Sequence, residues 1–497
     1  MDFIRNFPAI SILLCLFAGI ISSGVKKEVA RKINSLLSIA NILLSLAVLY
    51  YTVLIQESFV YVMGKFPAPW GNEIRVGSLE AIMALVFSII MLLSMWGGKK
   101  KLFDEVELGK HSLYYVLADL LFSSLLALVY TNDIFTAYVF VEINTIAACG
   151  LIMIRQNGRT IEAAARYMIM SLLGSGMLLL GICMLYDLTG HLLMSNIKTA
   201  VEIVSTQDAY RVPLLVAIAL MSVGLAIKSA LFPFHAWLPD AYGYSTVSSA
   251  AILSSLVSKG YIFLLIKIIY RVVGFEIYAE SRIIDVLFVF GLMGMIFGSL
   301  SAIKENDIRR MIAFSSVAQI GYIYMGFGMS TEAGMIASIF HIISHAATKS
   351  LLFIAAIGLT DVSGGSRHFI ELTGAGYRNK WAGIGFTVGS LSMVGIPMFS
   401  GFISKLLFAQ AAVQCDGKTL AVLIVLAIST ILNAIYFMKT VIRIYTPVED
   451  SIFESVKFSE IKTYCFVLLG FIIVNVILGV ISQPIVDIIK QGLSVFA

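Results

Sequence analysis

Long apolar runs follow one another along nearly the whole chain, separated by short polar connectors. A helix needs about 20 apolar residues to cross a hydrocarbon layer ~30 Å thick. Runs of that length fall at residues 8–24, 33–55, 77–97, 111–130, 132–154, 163–187, 212–232, 247–271, 282–302, 306–327, 333–360, 383–412, 418–440 and 461–483. The expected fold is all-α, a polytopic membrane protein of about fourteen transmembrane helices embedded in a lipid bilayer. The balance of residue types agrees: 59% are hydrophobic and 13% charged, against roughly 25% charged in soluble domains. The run Phe7–Ile21 has only a weak basic leader, no small-residue cleavage pattern follows and the next segment is also apolar, so it reads as a retained first helix. Three regions are expected: 1–110 with the first three helices, a core at 111–440, and 441–497 with the last connector and helix.

Composition excludes several chemistries. A net charge of +5 is too small and too dispersed to imply a nucleic-acid partner. The five cysteines are scattered, with no CxxC pair, which leaves no iron–sulfur or zinc site. No cofactor is expected. Basic residues concentrate in connectors after odd-numbered segments: Lys26, Lys27, Arg31 and Lys32, then Lys99–Lys101 and Lys110, then Arg155, Arg159 and Arg166, and later Lys304, Arg309, Arg310, Arg367, Arg378 and Lys380. Opposite connectors hold roughly two- to threefold fewer, which places the odd connectors in the cytoplasm and both termini outside a cell membrane.

Two segments carry breaks. Pro233 and Pro239 follow Lys228 in the seventh, and Gly395-Ile-Pro397 interrupts the twelfth. Proline removes a backbone donor and ends the preceding turn. Exposed backbone at membrane depth is tolerated only inside protein or beside a watery cavity. Breaks at corresponding places suggest two inverted five-helix repeats, segments 4–8 and 9–13, around an ion path.

The chemistry lies in ionisable groups inside these segments. Glu142 is central in the fifth and Lys259 in the eighth; Lys228 and Lys405 flank the two breaks. In the eleventh, His341, His345 and Lys349 recur every four residues, a stripe about 12 Å long on one helix face. Charges at the bilayer centre each cost about 2.5–3.5 kcal/mol and usually mark ion routes. Burial weakens a lysine's hold on its proton, and a nearby carboxylate restores it. Histidine exchanges protons close to neutral pH. Lys267 lies near a segment end and also fits a snorkelling or structurally paired lysine, while Asp119 also fits a satisfied polar contact. The spacing of His341 and His345 suits a metal, but Ile342 stands where a zinc peptidase needs Glu and no third ligand is evident. No metal site is expected. Gly174-Ser-Gly176 reads as a close helix contact.

At these residues the chain closely resembles the antiporter-like subunits of the complex I superfamily. The resemblance rests on Thr131–Phe135, Val141-Glu142, Ala226–Ala241, Ser254–Lys259, Asp307–Gln319, His341–Lys349, Gly395–Pro397 and Ser400–Lys405. Within that superfamily it is most similar to the D subunit of Mrp-type sodium/proton antiporters and its counterpart in membrane-bound hydrogenases; the loop Gly64–Gly71 is of that kind. Met398 and Gly77 depart from the pattern. The resemblance implies two half-channels, Glu142–Lys228 as an ion pair, Lys259 with the histidines as relay, and Lys405 as exit lysine. It also implies other membrane subunits as partners, in an Mrp-, hydrogenase- or complex I-type assembly that moves H+, with Na+ as a second candidate ion. Two functions follow: a subunit of a cation/proton antiporter, or the ion-pumping module of a redox-driven complex. An intramembrane hydrolase built on the histidines lacks its glutamate and a serine–base pair.

Overall fold

The computed structural model describes residues 2–66, 71–415, 417–447, 456–458 and 461–496. The central residues of the Gly64–Gly71 loop, 67–70, lie outside the described residues. Membrane-length helices are α1 (Phe7–Gly24), α2 (Lys27–Ile55), α3 (Ser78–Gly97), α4 (His111–Tyr130), α5 (Ile134–Met153), α6 (Gly158–Thr189) and α7 (Asp208–Lys228). They continue with α8 (Val247–Val273), α9 (Ile283–Lys304), α10 (Ile308–Gly328) and α11 (Glu332–Asp361). The last are α12a (Lys380–Val394), α12b (Ser400–Val413), α13 (Thr419–Ile444) and α14 (Lys462–Val480). Among the described residues, 13 helices are long and apolar enough to cross a membrane unaided. The two halves of α12 supply the fourteenth crossing, so the expected number stands.

The all-α expectation needs one amendment. Phe59–Val62 and Glu73–Val76 pair as an antiparallel hairpin between α2 and α3. Two further helices are too short for a hydropathy reading to find: Met194–Val204, and α15 (Gln483–Ser494), which buries Val486, Ile489 and Leu493 and exposes Asp487 and Lys490.

Burial sorts the helices. The apolar windows of α8 and α11 are wholly buried and that of α10 nearly so, whereas α2 and α13 bury about a third. The segments of Lys259 and of the His341–Lys349 stripe are therefore enclosed by the others, whereas those of Glu142 and Lys228 are about half buried. Close contacts rely on glycine. A Cβ on Gly174 of α6 would lie 2.7 Å from the Gly224 carbonyl oxygen of α7, and one on Gly224 would lie 2.6 Å from that of Gly174. The small-residue run is thus a packing seam. Asp119 is satisfied: Asn34 Nδ2 donates to it at 2.6 Å and Ser22 Oγ at 3.3 Å, tying α4 to α1 and α2.

Two connections are built alike. Asp133 caps α5 by accepting from Thr136 N at 2.7 Å, and Asp307 caps α10 by accepting from Arg309 N at 2.8 Å. Beside the first, Ile134 N donates to Leu192 O and Met194 N to Asn132 O; beside the second, Ile308 N donates to Arg367 O and Phe369 N to Asn306 O. The shared Asn-Asp-Ile sequence thus stitches each helix start to the chain just after the next helix.

At the far end of α8, in a π-helical turn at Ile268–Val273, Arg271 forms a fully buried ion pair with Glu80 of α3 at 2.6 Å. Arg271 Nε donates to Phe496 O at 2.7 Å, and the guanidinium lies 4.1 Å from the Phe496 ring. Lys267 is buried rather than snorkelling: it donates to Leu128 O and Thr131 O at 3.0 and 2.7 Å. Removing one member strands the other charge in the interior. Glu80→Ala should cost about 3–5 kcal/mol, and the paired replacement Glu80→Leu with Arg271→Met should recover most of it. Thermal unfolding of the solubilised protein, followed by cysteine exposure, measures both.

Candidate functional site

The seventh segment ends earlier than its apolar run suggests. The α-helix stops at Lys228, Ala230 takes a left-handed conformation (φ 63°), and a short 3-10 turn, Phe234–Trp237, follows. Lys228 thus belongs to the carbonyl end of α7, where the helix dipole favours a cation. Its Nζ lies 3.8 Å from Glu142 Oε1 and donates to Thr145 Oγ1 at 2.7 Å. The Lys228 side chain is 0% exposed and that of Glu142 26%, so the carboxylate forms the open end of the pair. The ammonium also lies 5.2 Å from the centre of the Tyr261 ring. Tyr261 donates to Asn144 Oδ1 at 3.0 Å, and Asn144 donates to Ser124 Oγ at 2.8 Å, so α5, α8 and α4 share one polar web.

Lys259 follows a π-helical turn, Leu253–Val257, inside α8. Such turns widen a helix and recur at functional sites. Lys259 Nζ donates to Ser254 O, and no carboxylate pairs with it among the described residues. Ser350 of α11 donates to Ser255 of the same turn at 2.8 Å, which pins α11 to it.

On α11 the His341 and His345 rings stack nearly parallel, with centroids 5.8 Å apart. His341 Nδ1 sits 2.6 Å from Ser404 Oγ of α12b. Its Nε2, both ring nitrogens of His345, Gln319 Nε2 and the Tyr322 hydroxyl are buried without a hydrogen-bond partner among the described residues. Lys349 turns towards α10, donating to Ile312 O at 2.9 Å and to Ser315 Oγ.

Lys405 reaches back across the second break. Its Nζ donates to Val394 O at 2.6 Å and Met393 O at 3.2 Å, the last carbonyls of α12a. Gly395 permits this, with φ 90° and a Cβ position only 2.9 Å from Lys405 Cδ. Gly401 permits the close return of α12b: a Cβ there would fall 1.8 Å from Ser392 O. Asn475 of α14 braces the break, its Oδ1 accepting from Thr348, Ser400 and Ser392 at 2.7, 3.0 and 3.2 Å. The sequence offered one sign of this residue, an asparagine within an apolar run.

Of the seven expected residues, Lys228, Lys259, His341, His345 and Lys349 are buried, and Glu142 and Lys405 are half-buried. No cluster of three or more His, Cys, Asp or Glu able to hold a metal occurs among the described residues.

Residues 131–431 match the family model described as NADH:quinone oxidoreductase/Mrp antiporter, TM. The chain belongs to that transmembrane family. It is 32% identical over 397 residues to NADH-quinone oxidoreductase subunit N of Desulforudis audaxviator, covering 79% of this chain and 77% of that protein. It is 29% identical over 463 residues to a Staphylococcus epidermidis protein named as antiporter subunit mnhD2, covering 93% and 89%. In fold it is similar to a chain of the membrane-bound sulfane sulfur reductase, an archaeal respiratory membrane complex, with a TM-score of 0.89 at 23% identity over 100% of this chain and 98% of that one. A chain of the Mrp complex from Dietzia gives a TM-score of 0.87 at 22% identity, over 99% and 97%.

Unpartnered ring nitrogens beside lysines suit water-borne protons. An experimental map that resolves waters should show ordered water within ~3.2 Å of His345 and of His341 Nε2. Dry side-chain packing around both rings would break the expected chain of proton carriers.

Proposed function

We propose that this protein is a proton-translocating, antiporter-like subunit of a multisubunit membrane complex, of the Mrp cation/proton antiport type. The observation that carries the reading is the enclosed file of ionisable groups from Glu142 to Lys405, lying between two broken helices. Two unit charges about 4 Å apart at an effective dielectric of ~20 interact by about 4 kcal/mol. Moving the half-open Glu142 away from Lys228 removes that attraction, and the buried lysine then gives up its proton towards Lys259. A charge on Lys259 repels any charge on the histidines and Lys349, so occupancy passes along α11. Lys405 receives it and, unlike Lys228, has no carboxylate paired with it among the described residues, which favours release. The matched stitching of α5 and α10 supports treating α4–α8 and α9–α13 as the two inverted repeats, each with one half-channel.

The distribution of basic connectors supports a cell-membrane location with both termini outside. Similarity to the subunit N protein supports a second reading, the ion-pumping subunit of a redox-driven complex. Both readings use the same residues, and the subunits that co-purify separate them: redox-centre proteins for the second, further antiporter subunits for the first.

Position 405 gives the sharpest test. Lys405→Ala should lower ion transport by at least about tenfold in vesicles of the assembled complex. Lys405→Arg should fail as well, because guanidinium does not release its proton in this range. An Arg variant of full activity would reduce residue 405 to a fixed positive charge. The chain alone, purified and reconstituted, should show no substantial sodium-dependent proton flux; robust antiport from the single chain would contradict the need for partners.

A further inference from the structure

Where α3 runs out at Gly97, three lysines begin the short helix Lys99–Glu105. Two clefts adjoin there, sharing Trp96, Lys99 and Thr463. The larger, about 580 Å³, lies between the ends of α3 and α11 and the start of α14, with Lys100, Lys101, Asp361 and Lys462 on its walls. The smaller, about 290 Å³, extends to Arg31 and Asn34 of α2. Five cations thus face one carboxylate among the described residues, and Lys101 already holds that carboxylate at 2.6 Å. Arg31, Lys99, Lys100 and Lys462 have no hydrogen-bond or carboxylate partner among the described residues.

The excess charge is felt locally: part burial, and next the Arg31 guanidinium, draw the Lys99 ammonium below its usual proton affinity. The clefts also lie at the edge of the apolar layer. Trp96 is fixed there by donating Nε1 to Ser35 Oγ at 3.0 Å, and indoles favour the membrane–water boundary. Beyond Ser35, α2 turns Leu36, Ile39 and Leu43 outward, at 70%, 38% and 62% exposure.

We propose that this double cleft binds the phosphate headgroup of an anionic phospholipid, with Arg31, Lys99, Lys100 and Lys462 around the phosphate and the acyl chains lying along the exposed face of α2. Basic pockets between transmembrane helices recognise such headgroups, each cation near an anionic surface contributing about a fivefold change in affinity. A soluble phosphate would satisfy the cations but leave the outward apolar track on α2 without a role. The carboxylates Glu449, Asp450, Glu454 and Glu460, in the connector before α14, lie outside the described residues.

The test compares lipid retention by the full chain using native mass spectrometry from nanodiscs of phosphatidylglycerol or of phosphatidylcholine. Wild-type protein should carry phosphatidylglycerol preferentially into the gas phase. The triple variant Lys99→Gln, Lys100→Gln, Lys462→Gln should bind it about a hundredfold more weakly. A control triple, Lys26→Gln, Lys304→Gln, Lys490→Gln, should leave retention unchanged. Equal retention by wild type and the cleft triple would overturn the proposal. Displacement of the lipid by millimolar inorganic phosphate would identify a free-anion site instead. Retention that emerges only after the four connector carboxylates are neutralised would make the chain's own acids the occupant, and would also overturn it.

Discussion

An unpaired carbonyl within a membrane costs several kcal/mol, so a helix that stops at that depth must find donors for its last turn. The second break does so with the ammonium of Lys405, which takes the carbonyls of Met393 and Val394. The first break ends α7 on Lys228 itself. There the last carbonyls of α7 are met by the amides of Ser229, Ala230 and Leu231 and by the Trp237 indole, whereas at the second break the lysine and the helix end satisfy each other. The glycines at 395 and 401, the Asn475 brace and the enclosure of α8 and α11 all serve that exchange.

The two lysines nevertheless differ in partner. Lys228 faces a carboxylate and a threonine hydroxyl, whereas Lys405 bonds neutral backbone oxygen. A charged partner can be withdrawn by a side-chain movement. Backbone carbonyls move only with the helix that carries them. The pairing at the first lysine can therefore change with one side chain, while that at the second changes only with its helix.

The sequence was informative wherever lipid dictates length. Span positions were legible to within a few residues because each must match one thickness, and the candidate site was legible because a charge inside such a span is rare. What escaped obeys other rules. The strands 59–62 and 73–76 are only four residues long, and α15 is short and amphipathic, so none registers as a membrane-length apolar run. The π turn before Lys259 has no compositional mark: Leu253-Ser-Ser-Leu-Val257 reads as ordinary helix. The Arg271–Glu80 pair escaped because its members lie 191 positions apart, and such pairings are invisible to periodicity.

Complete burial of α8 also bears on how the protein enters a bilayer. Lys259, Lys267 and Arg271 ride on this helix, and none has a lipid-facing alternative. As an isolated segment it would meet the insertion penalty for three cations at once. Its shelter includes α11, which is synthesised later and packs against the π turn through Ser350 and Ser255. Between those two moments during translation, α8 must stay at the protein-lined mouth of the insertion machinery or lean on α4 and α5. Integration of this chain is consequently coupled between α8 and α11, rather than a succession of independent partitioning events.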